Sequence, residues 1–141
     1  MKVSDVMVRN PVMVSPDATC GRLAKLMREK GVGSVIVVED GKPIGIVTER
    51  DLVHRVMAEG RVPDRCSADY VSSKPVVAVN HLTDVDMAVD LMNDYKIRRL
   101  VIVGDDDKVV GILTTDDLVK NLREMSEELA VKYMILSRRG H

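Results

Sequence analysis

The chain contains no tryptophan and no phenylalanine, and only three tyrosines among its 141 residues. A flat ligand must then lie between aliphatic side chains, and stacking of single-stranded nucleic acid on aromatic faces is disfavoured. An excess of one charge is also missing. Twenty-one Lys and Arg oppose 22 Asp and Glu, a net charge of −1, so nothing marks the whole chain as a nucleic-acid or membrane-surface binder. No apolar run is long enough to span a bilayer, and Met1 to Pro16 lacks the apolar core of a signal peptide. A cytoplasmic chain without membrane contact is expected.

Reactive constellations are scarce as well. Cys20 and Cys66 stand at non-equivalent places along the chain and read as small, reduced, buried side chains rather than a disulfide or metal pair. His54, His81 and His141 have no partner at zinc-ligand spacing. Asp105-Asp106-Asp107 lacks the dozen-residue frame of a calcium loop and reads as a solvated turn. No nucleophile elbow and no Gly-x-x-x-x-Gly-Lys-[Ser/Thr] occurs. The expectation is a protein that is not an enzyme, with no catalytic residues, no metal and no required cofactor.

What the chain does have is a repeat. Gly45-Ile46-Val47-Thr48-Glu49-Arg50-Asp51-Leu52-Val53 returns as Gly111-Ile112-Leu113-Thr114-Thr115-Asp116-Asp117-Leu118-Val119. Pro11-Val12 returns as Pro75-Val76, and Leu26-Met27 as Leu91-Met92. The offsets are 75 − 11 = 64, 91 − 26 = 65 and 111 − 45 = 66, so two single-residue insertions account for the drift. Each copy is a supersecondary unit with an apolar face to cover, and at about 60 residues neither has enough core to stand alone.

Each copy reads strand, helix, strand, strand, helix. Val12 to Val14 is extended. Thr19 caps a helix to about Lys30 with the stripe Leu23, Leu26 and Met27, and Gly31 and Gly33 end it. Ser34 to Val38 is a buried strand. Glu39-Asp40-Gly41-Lys42 is a hairpin turn, Pro43 to Val47 returns, and Thr48 opens a helix to about Ala58. In the second copy Val76 to Val79 is extended, Thr83 to Tyr95 helical, Leu100 to Val103 and Lys108 to Leu113 a hairpin around Gly104 to Asp107, and Thr114 opens the last helix. The expected class is α/β (α+β), with two three-stranded sheets packed together and approximate two-fold symmetry. The boundaries are 1–60 for repeat 1, 61–69 for a connector, 70–122 for repeat 2 and 123–141 for a C-terminal helical extension. Glu124 to Ser137 reads as its helix, and Arg138 to His141 as a frayed end.

The element Gly-h-h-Thr-x-x-Asp, with h apolar, sits where a strand ends and a helix begins. Thr followed three residues later by Asp is a capping-box spacing, and Thr83-x-x-Asp86 has it too. The same atoms also suit a ligand. Helix-terminal N–H groups favour an anion, a carboxylate can accept both hydroxyls of a ribose, and Ile46-Val47 and Ile112-Leu113 offer a purine an apolar wall. Gly45 and Gly111 permit close backbone approach. Two copies at matched positions favour ligand binding over bare capping.

These residues carry a resemblance. Thr48-Glu49-Arg50-Asp51-Leu52 after Gly45-Ile46-Val47, and Ser4-Asp5-Val6-Met7 ahead of Asn10-Pro11-Val12, resemble the tandem cystathionine-β-synthase (CBS) domain pair, the Bateman module, over about Lys2 to Leu122. The resemblance implies two clefts between the copies that bind AMP, ADP, ATP or a related adenosyl compound and regulate an unknown partner protein. One cleft would combine Ile46, Thr48, Arg50 and Asp51 with Val76, Val79, Ile97, Arg98 and Arg99. The other would combine Ile112, Thr114, Asp116 and Asp117 with Val12, Val14, Val32, Gly33 and Ser34. Lys96-Ile97-Arg98-Arg99 aligns with Gly31-Val32-Gly33-Ser34, and guanidinium forks bind phosphate. Tighter phosphate binding is therefore expected in the Thr48/Asp51 cleft. Matching stripes Leu52, Val53, Val56 and Leu118, Val119, Leu122 favour a homodimer. The alternatives are a structural dimerisation adaptor with empty clefts, and a nucleic-acid binder.

Overall fold

A computed structural model of the chain describes residues 1–121 and 127–138. Leu122, Met125, the start of the expected tail helix at Glu124, and Arg139 to His141 lie outside the described residues. The chain divides into two compact units, Pro11–Val76 and a second made of Met1–Asn10 with Val77–His141. The first ten residues thus fold with the second repeat rather than with the residues that follow them.

Those ten residues form α1 (Val3–Val6) and β1 (Val8–Arg9). The Lys2 N–H donates to Asp5 Oδ2 at 2.8 Å, which closes the first turn of α1. The middle unit follows with β2 (Met13–Val14), α2 (Cys20–Lys30), β3 (Ser34–Glu39) and β4 (Lys42–Thr48). Thr19 Oγ1 accepts the Arg22 N–H at 3.2 Å, and Gly31 at φ +63° ends α2 in the left-handed region that favours glycine. Asp40 and Gly41, both at positive φ, make the tight β3–β4 turn. Strand β2 pairs parallel with β3, and β3 antiparallel with β4. Val35, Ile36 and Val37 are fully buried, which is what a strand covered on both faces requires.

After β4 come α3 (Glu49–Leu52), a π-helical turn (Val53–Met57), a 3₁₀ turn (Pro63–Arg65) and α4 (Ala68–Val71). The sequence reading expected one regular helix to Ala58. The ladder widens instead, with the Ala58 N–H bonding the Val53 carbonyl at 2.8 Å and the Arg61 N–H the Val56 carbonyl at 3.0 Å.

The other unit continues with β5 (Ala78–Asn80), α5 (Val85–Tyr95), β6 (Arg99–Val103), β7 (Val109–Thr114), α6 (Thr115–Lys120) and α7 (Glu127–Ser137). Its sheet has four strands in the order β1-β7-β6-β5, against three in β2-β3-β4. The expectation of two three-stranded sheets fails here because β1 adds antiparallel to β7, Val8 opposite Ile112. In the middle unit the matching segment makes a single bridge, Ile46 to Ser73. Helix α5 also starts later than expected. Asp84 is its N-cap and makes no side-chain cap, so the Thr83–Asp86 box does not form, and Asp84 pairs with Lys2 Nζ at 2.8 Å instead.

Helix α7 lays Leu129 and Leu136 into a core shared with Val85, Ala88, Met92 and Leu118. Lys132 Nζ reaches Asp86 at 2.9 Å and Asp90 at 2.8 Å on α5. Those hydrogen bonds, Asp90 first, push the Lys132 ammonium above its ordinary range. No helix among the described residues is long and apolar enough to cross a membrane.

Candidate functional site

Both Thr-x-x-Asp corners form, and each is a reciprocal capping box. Strand β4 ends at Thr48, whose Oγ1 accepts the Asp51 N–H at 3.2 Å; Asp51 Oδ2 accepts the Thr48 N–H at 2.9 Å and its hydroxyl at 3.1 Å. At the end of β7 the corresponding Thr114–Asp117 distances are 3.3, 2.8 and 2.9 Å. One oxygen of each carboxylate is thereby spent on the chain's own turn. The other oxygen of Asp51 lies 3.9 Å from Arg55 Nε, whereas the Asp117 side chain makes no ion pair among the described residues. Asp117 is buried and Asp51 half-buried. Helix α6 is six residues long, and α3 runs directly into the π-helical turn that ends at Met57.

The strands fix which residues stand beside each corner. Ser34 is the register partner of Thr48, and the Gly33 carbonyl accepts the Glu49 N–H at 3.1 Å. Arg99 is the register partner of Thr114, and the Arg98 carbonyl accepts the Thr115 N–H at 3.1 Å. Within its own unit, then, the Arg98-Arg99 pair adjoins the Thr114 corner and Gly33-Ser34 adjoins the Thr48 corner. Val14 and Val79 are buried core side chains. Val12 and Val32 pack on the core of the middle unit, and Ile97 on that of the other. Val76 and Ile46 are half-buried, Ile112 is buried, and Arg50 and Asp116 are exposed.

The glycines ahead of each corner have an occupant from the chain itself. A Cβ on Gly45 would lie 2.6 Å from Ser72 Oγ and 2.8 Å from Ser72 Cβ; one on Gly111 would lie 2.5 Å from Met7 Sδ and 2.9 Å from the Val8 carbonyl oxygen. The space beside each glycine is thus occupied by the segment that precedes the opposite repeat.

Two participants escaped the sequence reading. Arg55 Nη1 donates to the Val71 carbonyl at 2.9 Å and the Ser72 carbonyl at 3.2 Å. Among the described residues, the side chain of its repeat counterpart, Asn121, donates to the Asp117 carbonyl alone, at 2.8 Å. That Arg/Asn mismatch is visible once the copies are aligned. The second participant, Tyr133 on α7, is raised in pKa by burial first and next by Asp116, with Arg98 opposing. This places α7 within electrostatic reach of the Thr114 corner. Of the stripes expected to pair copies, Val56 and Leu118 are core, while Val53 and Val119 are exposed. Asp105 accepts from Asn80 Nδ2 at 3.1 Å and meets His81 Nε2 at 3.3 Å, which holds its carboxyl below the usual range.

Comparison with known proteins gives a consistent result. The family model described as "CBS domain" matches residues 3–58 and 68–124. An uncharacterized protein of Methanopyrus kandleri is 44% identical over 121 residues, covering 85% of this chain and 62% of its own length; the chain thus spans under two thirds of that relative. A conserved CBS-domain protein of unknown function from Thermoplasma acidophilum superposes with TM-score 0.81 at 26% identity, covering 99% of this chain and 77% of that one. A CBS-domain protein of Pyrobaculum aerophilum, solved with AMP, superposes with TM-score 0.78 at 23% identity, covering 96% and 99%.

Proposed function

From the premise that this chain belongs to the CBS-domain family, we propose that it is a non-catalytic regulatory module, a homodimer, that binds an adenosine nucleotide at its Thr-x-x-Asp corners and alters the affinity of a partner protein. The observation that carries this reading is the duplicated corner. Two strand-to-helix junctions hold a hydroxyl and a carboxylate in the same geometry, each leaving one carboxylate oxygen beyond its own capping box. The Pyrobaculum aerophilum relative in fold was solved with AMP, which supports the adenosine chemistry.

The strand register argues for the opposite phosphate assignment to the one expected from the repeats, in which Arg98 and Arg99 serve the Thr48–Asp51 cleft. Arg99 stands opposite Thr114, and its guanidinium fork suits phosphate. Phosphate binding therefore belongs to the Thr114–Asp117 corner, while Thr48–Asp51, beside Gly33 and Ser34, takes a nucleoside or remains unused. A nucleotide that binds only the folded state raises the melting temperature by mass action, and AMP, ADP, ATP and S-adenosylmethionine are the ligands to compare.

Calorimetry of Arg99→Ala should lose roughly 10-fold or more in nucleotide affinity, the worth of one charge-assisted hydrogen bond. A double-mutant cycle decides the corner: Arg99→Ala should be non-additive with Asp117→Ala and additive with Asp51→Ala. The adaptor reading has its own support in the completed capping boxes. It wins if no adenosyl compound shifts the melting temperature while Asp51→Ala and Asp117→Ala each still cost about 1 kcal/mol of stability.

A further inference from the structure

We propose that Cys20 and Cys66 are a paired-thiol modification site, which a low-molecular-weight disulfide converts into an internal Cys20–Cys66 bond. The two residues are 66 − 20 = 46 positions apart and occupy no matching places in the repeats, so the sequence offers no sign of a pair. The fold supplies it. The Cys20 N–H donates to the Cys66 carbonyl at 2.8 Å and the Ala68 N–H to the Ala18 carbonyl at 2.7 Å, bracketing the antiparallel bridge between Thr19 and Ser67. Beside that bridge the Cys20 and Cys66 backbones are joined by a hydrogen bond, and their thiols stand close enough to bond each other, the proximity that a disulfide requires.

The side chains share one environment. Both belong to the core formed with Val14, Leu23, Val35 and Val71, at 1% and 6% exposure, and Cys20 Sγ lies 3.7 Å from the Ser67 carbonyl. Burial, and next the neighbouring Cys66 thiol, pushes the Cys20 thiol up to about 12. The thiolate is the attacking species, so the step in which Cys20 attacks is slow and the bond closes only under sustained oxidation. Cys66 is the entry point, because it follows the exposed run 61–65. Its thiolate attacks one sulfur of a disulfide such as oxidised glutathione, forming a mixed disulfide and releasing the other half, which takes up the proton Cys66 lost. Cys20 then gives up its proton and attacks Cys66 Sγ, expelling the second half as a thiol. The protein loses two electrons and two protons, and the oxidant becomes two thiols.

The bond would tie the start of α2 to the entry of α4. That segment ends in the Val71 and Ser72 carbonyls that hold Arg55 and in Ser73, whose N–H donates to the Ile46 carbonyl at 2.9 Å. Oxidation therefore clamps the strap beneath the Thr48 corner. The inference stands whether or not a nucleotide binds there.

The test is equilibration of the full chain with graded oxidised glutathione in mildly alkaline buffer, followed by denaturation, alkylation and mass measurement. The expected product is a monomer lighter by two hydrogens, refractory to alkylation, yielding a cross-linked Cys20–Cys66 peptide. Its melting temperature should rise by roughly 5 °C or more and fall back with dithiothreitol. Cys66→Ser should show neither the product nor the shift. Two alkylatable thiols at every ratio, glutathione on both cysteines without an internal bond, or covalent dimers alone would each overturn the proposal, and the wild-type mass decides even if the variant does not fold.

Discussion

The two Thr-x-x-Asp corners are the same hydrogen-bonded box set in different surroundings. Matching distances in them differ by at most about 0.2 Å, because the box needs only residues three apart. What leans on each box comes from elsewhere in the chain. The Thr48 corner continues into a π-helical turn, and this places Arg55 on the Val71 and Ser72 carbonyls. The Thr114 corner continues as α6 to Lys120 and has Asn121 at the matching place. Its carboxylate is more deeply buried, and Arg98 and Arg99 adjoin it where the first corner has Gly33 and Ser34. Symmetry of the motif does not extend to symmetry of the chemistry around it.

The largest test of this comparison is at the glycines. Gly45→Ala and Gly111→Ala should each cost about 2–3 kcal/mol in denaturant unfolding, since both force a Cβ into occupied space. The two costs should be similar, because each Cβ would also meet a fixed atom, the Ser72 Cβ at 2.8 Å for Gly45 and the Val8 carbonyl oxygen at 2.9 Å for Gly111. Two near-neutral variants would mean that the strap does not lie against the strand.

A smaller effect separates the helices. Arg55→Ala, losing two carbonyl contacts, should cost about 2 kcal/mol, and Asn121→Ala, losing one, about 1 kcal/mol or less. Equal losses measured by the same unfolding curves would erase the asymmetry argued for the π-helical turn.

A further effect is pH-dependent and confined to the middle unit, which holds both thiols. The folded state raises the Cys20 thiol from 9.0 to about 12, so the protonated form is favoured on folding. That contribution is intact below pH 9 and is lost as pH rises from there toward 12. Thermal melts should fall off more steeply across this window in the wild type than in Cys20→Ala. Parallel slopes would show that Cys20 does not titrate in the core.

Much of the fold was legible because local chemistry dictates it. Thr19 and Gly31 bound α2 as their side-chain and backbone preferences require, and Asp40-Gly41 makes the hairpin turn. Thr83 misled, because its capping spacing competed with Asp84, whose carboxylate is drawn instead to Lys2 from the far end of the chain. Strand β1 and α4 were not visible either. Two or four residues carry no periodicity, and their conformation exists only where a strand edge or a core receives them. The candidate corners were found for the same local reason as α2, and the residues around them were harder to assign because strand register, not spacing, sets them side by side.

By itself the sequence determined the duplicated corners, the hairpins between them and the long helix of each copy, since each depends on interactions among residues a few positions apart. Only tertiary structure decided that the first ten residues join the second repeat, that Arg99 faces Thr114, and that Cys20 meets Cys66. Those pairings close loops of fifteen to roughly a hundred residues. Burial and strand pairing stabilise such closures, and neither leaves a mark in the local order of side chains.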